Sequence, residues 1–112
     1  MIKPTVEQNM KAINLIGYKV AFNTIRNGES CLDVQEKGKC PREFTLSNKA
    51  DMFDFVKALG EKYGLEPNAA YSPEGFFIGW YFYRREDKEW STIFKTYEEA
   101  ALAALDSLEV EG

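Results

Sequence analysis

The run Phe76-Phe77-Ile78-Gly79-Trp80-Tyr81-Phe82-Tyr83 is the longest apolar stretch in the chain, and it constrains the fold more than any other segment. It is far shorter than the roughly 18 apolar residues of a membrane helix. It is rich in aromatic residues, which favour a pleated, half-buried surface. Turn residues bracket it: Ser72-Pro73-Glu74-Gly75 before and Arg85-Glu86-Asp87-Lys88 after. Proline at the second position and glycine at the fourth suit a type I turn. The run is therefore predicted to be a strand from Phe76 to Arg84, in a hairpin with a shorter strand, Asn68–Tyr71. A further strand is expected over Glu89–Phe94. Strict alternation then places Ala69, Tyr71, Phe76, Ile78, Trp80 and Phe82 on one face and Phe77, Tyr81 and Tyr83 on the other.

The rest of the chain punctuates itself around this sheet. Thr5 followed by Gln8 reads as a capping box, and Val6, Met10, Ile13 and Gly17 follow helical spacing, so a helix is predicted over Val6–Ile16 with Gly17 as its stop. Tyr18, Val20, Phe22 and Thr24 alternate with polar or small residues as a strand does. Asn27-Gly28 marks a hairpin turn into a second strand closed by Lys37-Gly38-Lys39 and Pro41. A two-residue loop would set Phe22 opposite Asp33 and Ala21 opposite Val34. A three-residue loop, Arg26-Asn27-Gly28, sets Phe22 opposite Leu32 and Val20 opposite Val34; it is the expected register, because it keeps apolar residues on one face.

Ser47 is the expected N-cap of a helix running to Tyr63, with Gly64 as its stop and Met52, Phe55, Val56, Leu59 and Tyr63 as its buried stripe. Thr96 with Glu99 opens a last helix reaching about Glu109, with Tyr97, Ala101, Ala104, Leu105 and Leu108 facing inward. The order is α-β-β-α-β-β-β-α. Hairpin-linked strands with helices grouped about them define an α+β class: one domain over residues 1–112, an antiparallel sheet with helices mainly on one face.

Composition narrows function by exclusion. The 112 residues include no histidine, which removes imidazole acid–base chemistry and most mixed zinc sites. The two cysteines, Cys31 and Cys40, are too few for a disulfide framework and are expected to be reduced thiols. Glu98 and Glu99 stand in the first turn of a helix, where negative charge offsets the helix dipole. Gly75 and Gly79 lie on a turn and a strand and do not form a phosphate loop. Gly79 is instead the residue expected to permit close packing or a bulge. No catalytic residue, cofactor or metal is expected. A net charge of −4 argues against nucleic acid and anionic membrane as partners. The N-terminus lacks the apolar core of a signal peptide, and residence in the cytoplasm is the expectation.

What remains is a surface. Phe77, Tyr81 and Tyr83, with Arg84 and Arg85 at the strand's end, are the candidate site for a protein partner or for a homodimer. Arg84, Arg85, Lys88 and Lys95 form the one local basic cluster, but Glu86, Asp87 and Glu89 share its turn.

Three resemblances bear on this reading. The order of elements from Ser47 to Glu109 resembles a double-stranded-RNA-binding domain, which implies a similar fold. Such domains carry a basic cluster at the start of the last helix, where this chain has Thr96-Tyr97-Glu98-Glu99, so RNA binding does not follow. The stretch Phe94-Lys95-Thr96-Tyr97-Glu98-Glu99-Ala100-Ala101 resembles the strand-to-helix end of HicB-type antitoxin domains. A Ser-capped helix ending Lys62-Tyr63-Gly64, an aromatic strand pair, then Phe94–Ala100 and an Ala/Leu-rich helix is similar to small proteins of gut-bacterial phages and conjugative elements. That likeness implies a bacterial or phage setting. The expected function is thus a non-enzymatic, protein-binding accessory protein. The alternative is a nucleic-acid-associated regulator with a double-stranded-RNA-binding-like or HicB-like fold.

Overall fold

A computed structural model describes residues 3–26, 29–36, 38–86, 88–90 and 92–108. Its helices and two antiparallel sheets give an α+β protein. The backbone divides into two compact units, one up to Phe55 and one over Val56–Leu108.

In the first unit, α1 (Val6–Ile16) precedes the sheet β1 (Lys19–Arg26), β2 (Glu29–Gln35) and β3 (Arg42–Phe44), ordered β1-β2-β3. The capping box at the start of α1 forms as the sequence predicts. Gln8 N donates to Thr5 Oγ1 at 3.1 Å, and Thr5 N donates to Gln8 Oε1 at 2.9 Å. Gly17 ends the helix at φ 96°, a left-handed conformation that glycine adopts without a Cβ penalty. Ala12, Ile13 and Leu15 are buried, as are Leu32, Val34, Phe44, Leu46, Met52 and Phe55.

The β1–β2 register corrects the expected three-residue loop. Arg26 stands opposite Glu29, and Phe22 faces Asp33 rather than Leu32; the turn residues 27 and 28 lie outside the described residues. Beyond Phe22 the ladder slips by one residue, so Val20 does face Val34. A β-bulge at Ala21 thus reconciles the short connection with the apolar match at the far end. One extra residue restores the face that a one-residue slip would lose. β3 was not expected: three residues behind Pro41 carry too little alternation to read as a strand.

Helix α2 (Lys49–Tyr63) starts one residue later than Ser47 capping requires. Asn48 is the cap, its Oδ1 accepting from Ala50 N at 2.9 Å and Asp51 N at 3.3 Å. The Ser47 hydroxyl is held instead by that of Thr45, 2.8 Å away. The unit boundary falls inside α2, after Phe55. Gly64, at φ 66°, ends the helix where expected.

The second unit carries the sheet β4 (Leu65–Tyr71), β5 (Phe77–Arg84) and β6 (Glu89–Trp90), ordered β4-β5-β6, with α3 (Tyr97–Asp106) packed on β5. The core is built from Val56, Ala58, Leu59, Leu65, Ala70, Phe82, Ala100, Ala101, Ala104, Leu105 and Leu108. β6 is shorter than the Glu89–Phe94 strand expected. The chain returns to β5 at Phe94, which exchanges both backbone hydrogen bonds with Trp80 at 2.7 and 2.8 Å. Thr96 Oγ1 accepts from Glu99 N at 3.1 Å and caps α3. Replacing Thr96 with alanine is expected to cost about 1 kcal/mol with the fold retained, read as a lowered urea midpoint at unchanged slope.

Candidate functional site

Two groupings of side chains have the geometry to be considered, one in each unit. The first is polar. Tyr18, just after α1, donates its hydroxyl to Asp54 Oδ2 at 3.1 Å, and the Arg42 guanidinium lies over its ring, 5.7 Å from the centroid. Arg42 Nη1 reaches Asp51 Oδ1 at 2.7 Å, and the buried Asp51 also accepts from Thr45 N at 3.1 Å. Glu36 joins from the end of β2, 3.7 Å from Arg42 and 3.0 Å from Lys39. Burial, with hydrogen bonds to the Glu36 and Asp54 carboxylates, pushes the Tyr18 phenol well above the ordinary tyrosine range. The same bond from Tyr18, aided by Lys39, holds the Glu36 carboxyl below its usual range.

The ionic side chains of this group face opposite charges or hydrogen-bond donors, so the cluster ties β2, β3 and α2 together. An ultraviolet titration of the parent should contain a late phenol ionisation that Tyr18→Phe lacks. Because the phenol's folded pKa is raised, its contribution to stability is present below the ordinary tyrosine range. It is lost as alkali carries the pH through the raised value.

The second grouping is aromatic and lies on β5. The hairpin turn forms as the sequence predicts: Gly75 N donates to Ser72 O at 2.9 Å, and Ser72 Oγ accepts from Phe76 N at 3.1 Å. The strand beyond it does not alternate as expected. Ala70 pairs with Gly79 but Tyr71 pairs with Phe77, so Ile78 is the extra residue of a bulge. The bulge turns Phe77 toward the face of Trp80. Their rings meet edge-on at 5.7 Å, within a series that runs Tyr71–Phe77 at 6.0 Å and Trp80–Tyr97 at 5.2 Å. Gly79 lets the chain at Phe94 lie close against the strand, because a Cβ there would collide with the Phe94 carbonyl and lie 2.7 Å from Ile93 Cγ2.

The five residues singled out from the sequence therefore do not assemble into one surface. Phe77 is exposed, but the Ile78 bulge separates it from Tyr81 and Tyr83, which are half-buried. Arg84 is half-buried. Arg85 is exposed, and its Nε pairs with Glu66 Oε1 at 3.3 Å while its backbone N–H donates to Gly64 O at 3.2 Å. Arg85 thereby fastens the end of α2 to the sheet.

In their place stands the hairpin end itself. Phe76 is 72% exposed, Phe77 51% and Ile78 49%, with Tyr71 and Ile93 also in solvent. All three in a row are exposed, so the hairpin end is a bare apolar tip. Alternation assigns Tyr71, Phe76 and Ile78 to the inward face, and the structure leaves all three in solvent.

Among the described residues no three Cys, Asp or Glu side chains converge as metal ligands, and Cys31 and Cys40 are not disulfide-bonded. No helix of the described residues is long and apolar enough to cross a membrane. No protein-family model, curated protein or solved structure matches the chain.

Proposed function

We propose that this chain is a non-enzymatic accessory protein of the bacterial or phage cytoplasm that binds another protein through the apolar end of its β4–β5 hairpin. The observation that carries this reading is the exposure of Phe76, Phe77 and Ile78 in succession beside Tyr71 and Ile93. Aromatic side chains bring about 150–250 Å² each, so these five expose on the order of 500 Å² of apolar surface, at the upper end of what a typical monomer leaves bare.

The partner that fits is a protein with an apolar groove. A projecting apolar tip is buried most fully when a groove receives it. Two such ends set against each other would bury about 1,000 Å² in total, the lower bound for a specific interface. Aromatic residues are also the side chains that most often dominate binding energy.

The test is crosslinking capture from the native host, identification of the partner, and titration of the purified partner against the parent and Phe76→Ser/Phe77→Ser. The reading expects the double variant to keep the parent's melting temperature and to lose at least about 2 kcal/mol of binding, some thirtyfold in affinity. Equal affinity of the two proteins would overturn it.

A further inference from the structure

We draw no further inference here: the strongest candidate, the polar groove where α1 ends beside β1 and β2, lined by Tyr18, Lys19, Gln35, Glu36 and Lys39, belongs to the cluster already described, whose Tyr18, Glu36 and Lys39 already bond one another and Asp54, and nothing in the structure shows what would fill it.

Discussion

Phe82→Ala is expected to lower stability by about 3–5 kcal/mol, the usual cost of deleting a buried phenylalanine. Phe82 is 2% exposed, toward the end of β5. A domain of this size is held by about 5–15 kcal/mol in total, so the variant should be largely unfolded at modest urea or poorly soluble. Phe76→Ala and Phe77→Ala on the same strand should shift the urea midpoint only slightly, because both side chains are already in solvent. The contrast matters more than either number. If all three substitutions cost the same, β5 is one continuous core strand and the Ile78 bulge does not divide it. Trp80, half-buried and in edge contact with Phe77 and Tyr97, should fall between the extremes.

The second large effect is expected at Gly79. An alanine there must push away the backbone at Phe94, and backbone cannot swing aside as the end of a flexible side chain can. The two hydrogen bonds between Trp80 and Phe94 would break or lengthen, and the chain leading into α3 would shift with them. Overpacking of this kind costs about 1–3 kcal/mol, and more where the neighbour is main chain. Gly79→Ala should therefore melt well below the parent. Gly75→Ala makes the control: its added Cβ would meet nothing, and only the left-handed φ of 92° would penalise it. By backbone preference alone it should cost about 1 kcal/mol. A Gly79→Ala protein as stable as the parent would mean that Phe94 does not lie against the strand.

These residues also mark where the sequence is legible. The helix ends are local problems, and local residues solve them: Thr5 with Gln8, Gly17, Gly64 and Thr96 all act as their spacing predicts. The helical stripes are legible for the most part: Met52, Phe55, Val56 and Leu59, like Ala101, Ala104, Leu105 and Leu108, are buried as expected, whereas Tyr63 and Tyr97, also expected inside, are half-buried. Competition between neighbours is harder to read. Ser47 and Asn48 can both cap α2, and a hydroxyl two residues upstream decides between them.

The strands are where local reading ends. Alternation presumes an unbroken period of two, and a single extra residue reverses every side chain beyond it. Two such residues exist, Ala21 and Ile78, and each is placed by what the strand must meet across the sheet. The Ile78 bulge parts Phe77 from Tyr81 and Tyr83, and Phe76 and Ile78, expected in the core, stand in solvent beside it. The division of the strands into two sheets has the same origin, since pairing between distant segments leaves no mark in either segment alone.

Recognition by the bare end of the β4–β5 hairpin is the central claim, and hydroxyl-radical footprinting of the aromatic side chains tests it most directly. In the free protein Tyr71, Phe76 and Phe77 should label strongly and Phe82 hardly at all. With the captured partner bound, labelling of Tyr71, Phe76 and Phe77 should fall while exposed Phe53, in the other unit, labels as before. Undiminished labelling of Phe76 and Phe77 in the complex would contradict the claim.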